Sequence, residues 1–147
     1  MVIDEDLPDP LWLSVARREL GIHETAGPES TARIVEYLAG TKLPKAMLRD
    51  ETPWCAAFVG WCLQQVGKRG TGRASARSYL TWGKPAIKPS AGCIAVLSRP
   101  GTPGSGHVGF FVGGNEIAVR LLGGNQNNAV CERDYPANRV LGYRWPG

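Results

Sequence analysis

The sequence has no apolar run near the roughly 18 residues that a bilayer-spanning helix needs. It has no Cys-x-x-Cys pair. Its four cysteines, Cys55, Cys62, Cys93 and Cys131, lie 7, 31 and 38 residues apart, so the usual zinc-ligand spacing is missing and no metal or cofactor is expected. No Gly-x-Ser-x-Gly elbow is present, which argues against a serine hydrolase of the elbow type. Histidine is scarce: His23 and His107 are the only two imidazoles in 147 residues. The opening Met-Val-Ile-Asp-Glu-Asp is acidic and has no apolar core, so no secretory signal is predicted and synthesis in the cytoplasm is expected. In that reducing compartment the cysteines should stay free. Adjacent basic residues occur only at Arg17-Arg18 and Lys68-Arg69, so no nucleic-acid stripe is visible.

What is plentiful is glycine. There are 19, about 13% of the chain against a usual ~7%. They fall between apolar runs with no collagen period, which points to a turn-rich sheet with close backbone approaches. With 43% hydrophobic residues, 20% charged residues and a net charge of +4, the chain reads as globular and mildly attracted to anionic polymers. No linker or repeat divides it, so one domain over residues 1–147 is expected, as a monomer.

Helical spacing dominates the first half. Asp9-Pro10 reads as a helix start and Gly21 as its stop; Ser30 to Leu38 reads as a second short helix. Thr52-Pro53 is the clearest start signal, with an apolar run continuing to Gly67. Ala74 to Trp82 reads as another short helix. After Pro89 the period becomes extended. Strands are predicted over Cys93 to Leu97, His107 to Val112, Ile117 to Leu122 and Val140 to Trp145, with a brief pairing at Val130-Cys131 and a hairpin at Gly113-Gly114-Asn115. Helices followed by a strand meander predict an α+β fold with an antiparallel sheet.

Two residues carry potential chemistry. Cys55 falls as the third residue of the helix predicted from Pro53, where unpaired N–H groups and the helix dipole favour a thiolate. A free cysteine near a helix start is more often core filler. Phe58, Val59, Cys62, Leu63 and Val66 share the face of Cys55, so that face packs inward. His107 begins a strand whose same-side neighbours are Gly109, Phe111 and Gly113. Those glycines leave room for the Cys55 helix on the histidine face. If the hairpin pairs Val112 with Ala118, His107 faces Gly123 and Asn125 lies just beyond, placed to orient the imidazole. A register slip substitutes Gln126. Asn125 also fits a plain turn.

Thr52-Pro53-Trp54-Cys55-Ala56-Ala57-Phe58-Val59, Gly106-His107-Val108-Gly109-Phe110-Phe111-Val112 and Leu122-Gly123-Gly124-Asn125-Gln126 resemble, in this order, the CHAP branch of the NlpC/P60 cysteine peptidases. Small single-domain peptidoglycan hydrolases of phage and bacterial-toxin type match most closely. The resemblance implies a papain-like α+β fold and hydrolysis of amide bonds in the wall peptide. Cys55 would be the nucleophile, His107 the general base and Asn125 the orienting residue. Two positions depart from the family pattern: Cys93 stands where many relatives have Asp after glycine, and Gly123 where some have Glu. Trp54, Tyr79, Trp82 and Gln126 are candidate substrate contacts, and Glu24 and Asp50 candidate acceptors of a substrate amine, although aromatic residues in so small a domain are as often packing. The resemblance further implies action at the wall after holin release or injection, with a cognate immunity protein in the injected case. The competing readings are a non-catalytic wall-binding module and a thiol transferase or deamidase acting on proteins.

Overall fold

The computed structural model describes residues 8–25, 31–49 and 52–147. Asp50 and the predicted helix start at Ser30 lie outside them. Three α-helices, α1 (Leu11–Arg18), α2 (Ala32–Ala39) and α3 (Cys55–Gln64), precede strands β1 (Lys84–Pro85), β2 (Ile94–Ser98), β3 (Gly106–Gly114), β4 (Ala118–Gln126), β5 (Ala129–Pro136) and β6 (Val140–Trp145). The predicted helix over 74–82 is a 3₁₀ segment, Ala76–Thr81. The strands form one antiparallel sheet in the order β1-β6-β2-β3-β4-β5. The α+β expectation therefore holds.

Helix α3 is the central element. Cys55, Ala56, Ala57, Phe58, Val59, Cys62 and Leu63 are all buried, including four of the five stripe residues read from the sequence; Val66, the fifth, lies past the helix end and is half-buried. Its start is later than predicted. Trp54 occupies the cap position, Cys55 is the first helical residue, and the Thr52 hydroxyl donates to the Met47 carbonyl rather than capping. Similarly, Pro10 caps α1 and Asp9 pairs with Arg17 at 2.7 Å. Phe58 meets Phe110 edge-on at 6.3 Å and Tyr37 at 5.2 Å. A fully buried phenyl ring of this kind contributes about 2–3 kcal/mol by leaving water.

The sheet has a different core on each face. Ile94, Val96, Val108, Phe110 and Leu122 join the helices, whereas Ala95, Leu97, Phe111, Leu121 and Tyr135 form a second cluster. His107 pairs with Leu97 and contacts Tyr135, so it belongs to the second face. This corrects the expectation that α3 lies over the histidine side. Val108 and Phe110 join the helix-side core instead, while His107 takes an alternate position of β3 beside Leu97 and Tyr135. Gly109 serves the approach of β4: a Cβ there would meet the Leu122 carbonyl at 3.2 Å and Leu121 Cβ at 3.3 Å. Gly113 has open space around it.

The β3–β4 register is displaced by two residues from the predicted one. Phe110 pairs with Leu122 and Phe111 with Leu121, and a bulge at Val112 shifts the rest. Strand β4 continues through Gly123-Gly124 to Gln126, past the Leu122 end predicted for it. Gly124 packs so closely on Trp54 and Phe58 that a Cβ would fall 2.6–2.8 Å from their atoms. The turn comes later, at Asn127 and Asn128, with φ of 51° and 60° between the paired Gln126 and Ala129. Two left-handed residues in a two-residue loop give the turn whose twist suits a hairpin, and asparagine tolerates that conformation.

Candidate active site

Cys55 opens α3, so its sulfur sits where the helix presents unbonded N–H groups. The backbone amides of Val108, Ala56 and Cys55 itself favour a thiolate there electrostatically. Helix α3 packs on β3, and Cys55 shares a core cluster with Val108, the residue that follows His107. Only 4% of Cys55 is exposed. Burial pushes its pKa up; the three amides and the charge of Arg99 oppose that rise. The other three cysteines are also free. In Cys62 burial and the charge of Glu19 both raise the pKa, so it lacks the anion-stabilising contacts of Cys55.

The imidazole of His107 is held from behind. Its Nε2 lies 2.8 Å from Gln126 Oε1, and the Tyr135 hydroxyl lies 3.2 Å from the same nitrogen. The Gln126 amide has a defined orientation because its Nε2 donates to the Cys131 carbonyl at 2.7 Å and the Leu121 carbonyl at 3.2 Å. Carbonyls accept only, so the amide oxygen must face His107, and His107 Nε2 must carry a proton to donate to it. That tautomer leaves the lone pair on Nδ1, which no described residue engages.

Burial lowers the His107 pKa to about 4; the Gln126 hydrogen bond opposes this, and Arg99, Arg139 and Arg133 add to the lowering. The ring is neutral at neutral pH. The unfolded chain takes up a proton near pH 6.5, so the folded state is penalised as pH falls from 6.5 through about 4. The contribution is fully present above pH 6.5, and its loss across that window is on the order of 3 kcal/mol. Urea unfolding at pH 7.5 and pH 4 should show this loss in the wild type and a smaller one in His107→Gln. Equal losses in both would remove His107 as the cause.

Four predicted site residues change role: Asn125, Gln126, Trp54 and Tyr79, the last fully buried and so withdrawn from any substrate surface. Asn125, at φ 58°, takes up the extra residue of a bulge in the β4–β5 pairing between Gly123 and Gln126. The bulge breaks the alternation, so Gln126, not Asn125, reaches the imidazole. Gln126 is fully buried and its amide is committed within the protein, which removes it as a substrate contact. Trp54 is also fully buried, stacks on Tyr37 at 5.8 Å and donates to Glu24 Oε1 at 2.9 Å. It presents no surface to a groove, and Glu24 is engaged by its indole. Tyr79 is buried; Trp82 is half-buried, meets Tyr79 edge-on and donates to the Arg69 carbonyl.

The sequence reading missed Tyr135. Its ring lies 5.2 Å from the imidazole, between the guanidinium groups of Arg133 and Arg139 at 5.4 and 5.3 Å. Strand β5 is at one edge of the sheet while β6 lies beside β2, so the chain after β5 crosses the second face. Arg139, on that crossing, donates to the Ser98 carbonyl at 2.9–3.0 Å. Among the described residues, no group of three or more His, Cys, Asp or Glu side chains is placed to hold a metal ion, and no helix is long and apolar enough to cross a membrane.

A buried thiol at a helix start, against the strand of a histidine whose far nitrogen is clamped by an amide, defines a cysteine–histidine site on an α+β fold. The family model of the CHAP domain matches residues 48–125, just over half of the chain, and the chain belongs to that family. Membership implies a hydrolase of the amidase or peptidase kind that acts on peptidoglycan. The matched segment contains Cys55 and His107 and stops one residue short of Gln126. A search of curated proteins finds no significant match.

Proposed function

We propose that the chain cleaves an amide bond in the peptide part of peptidoglycan by a thiol mechanism, as a single papain-like catalytic unit. The observation that carries this reading is a buried cysteine as the first residue of α3, which packs on the strand of His107, a histidine whose Nε2 proton is committed to Gln126. Both reacting groups are neutral at rest, so the ion pair forms during attack. His107 Nδ1 takes the thiol proton as Sγ bonds to the scissile carbonyl carbon. The carbonyl oxygen becomes an oxyanion, met by the N–H groups at the start of α3. Nδ1 returns the proton to the leaving amine; it then takes one from the water that attacks the thioester carbonyl and gives it to Sγ as the acyl–sulfur bond breaks, which releases the acid and restores both neutral groups.

The biological setting that fits is action at the wall, as a lysin released by a holin or as an injected effector. In the second case a cognate immunity protein would cover the thiol. Product analysis tests the activity and sorts its type. Purified sacculi are digested and the soluble muropeptides weighed: stem peptides freed from muramic acid define an amidase, and shortened or uncrosslinked stems an endopeptidase. Intact sacculi, with ammonia released from a protein substrate instead, would move the chain to the deamidases.

A further inference from the structure

A second feature lies along α3, on the side away from the sheet. Between the helix and the loop 67–73 runs a cavity of about 410 Å³. Ala56, Gly60, Trp61 and Gln64 line it from the helix. Opposite stand Lys68, Arg69 and Arg73, and no carboxylate lines the cavity. Lys68 lies over the Trp12 ring at 5.7 Å. Arg69 and Arg73 are exposed and make no ion pair among the described residues.

The loop that carries these cations is tied down at several points. The Lys42 amide donates to the Gly72 carbonyl at 3.2 Å, Thr71 and Ser78 hydroxyls meet at 2.8 Å, and the Trp82 indole donates to the Arg69 carbonyl at 2.9 Å. Recesses of about 270 and 380 Å³ flank Trp82 on the other side of the loop and share Lys68, Arg69 and Arg73 with the main cavity. The result is a fixed cationic ridge with an aromatic residue on each side, Trp61 and Trp82. Its groove begins at Ala56, the residue after Cys55.

We infer that this ridge is a substrate-holding site separate from the catalytic pair, for the free carboxylates of peptidoglycan stem peptides. The inference rests on the peptidoglycan reading above. Carboxylates suit it because guanidinium groups bind them bidentately and no acid is among the described lining residues; the nearby Glu36 is engaged by Arg33 and the Trp61 indole. A sugar ring of the same polymer suits the half-buried Trp82, and a strand held along the groove runs toward Ala56 and Cys55. A one-domain hydrolase gains residence on an insoluble wall in this way, through several weak contacts on one polymer.

The test is the double variant Arg69→Glu/Arg73→Glu, checked for an unchanged melting temperature. At low salt its hydrolysis of intact sacculi should fall about tenfold, while turnover of a short soluble stem-peptide fragment stays within about twofold. In a Cys55→Ala background, co-sedimentation with sacculi should weaken with the same charge reversal and with added salt. Wild-type rates on sacculi with the double variant would overturn the inference and leave the proposed function standing. An equal fall on both substrates would also overturn it, by making the arginines part of the catalytic cleft. A wild-type chain that cleaves neither substrate defeats the proposed function itself. Co-sedimentation then decides the groove alone: charge-sensitive binding supports it, and charge-insensitive or absent binding overturns it.

Discussion

Replacing Cys55 with alanine should abolish hydrolysis of sacculi, with a loss of at least about a thousandfold. The melting temperature should change little, because one sulfur atom leaves a site at the helix start rather than the middle of the core. The physical ground is specific. Only Cys55 combines the first position of α3 with backbone amides that favour its thiolate. Cys62, on the same helix, supplies the control: its burial is complete and nothing but desolvation and Glu19 acts on its thiol. Cys62→Ala should retain activity and lose about 1 kcal/mol or more of stability from the cavity it leaves. Turbidity clearing of sacculi beside thermal unfolding by circular dichroism separates these outcomes. Full clearing by Cys55→Ala would show that the nucleophile lies elsewhere.

The second large effect concerns the group behind the histidine. Gln126→Ala should lower kcat by about a hundredfold or more with little change in KM, because the imidazole loses the acceptor that holds its tautomer. It should also destabilise the chain by about 2–3 kcal/mol, since the His107 Nε2 proton and two strand carbonyls lose a partner in a buried site. Asn125→Gly is the counterpart. It keeps the left-handed backbone and removes only the side chain, so kcat should remain near wild type. Steady-state kinetics on a soluble muropeptide measures both. A loss with Asn125→Gly and none with Gln126→Ala would return the orienting role to Asn125.

Much of this was legible in the sequence where short-range physics decides. The inward stripe on α3, the strand at His107 and the closing strand from Val140 to Trp145 follow from local periodicity, and all three were found. The pairing of Cys55 with His107 rested on motifs, and the structure seats the thiol beside that histidine's strand. What the sequence hid depends on contacts far apart in the chain. Glu132, Arg133 and Asp134 disguise β5 as a solvated loop, because an edge strand tolerates charge on its open side. With β5 unread, Tyr135 could not be placed near His107. The face packed by α3 was misjudged for a related reason: space beside Gly109 was assigned to a helix, although a neighbouring strand takes it.

The bulge at Asn125 has one more consequence, for how this site tolerates change. A strand works like a two-letter reading frame, with each residue assigned to one side of the sheet by its count from the turn. The left-handed residue at 125 resets that count just before Gln126. Swapping the side chain at 125 leaves the frame untouched, whereas removing one residue between Gly123 and Asn125 turns the glutamine amide to the opposite side. Insertions and deletions in this short stretch should therefore be purged far more strictly than substitutions. In sequence comparisons the third polar group of the site is better located by counting from the Asn127-Asn128 turn than by matching residue type.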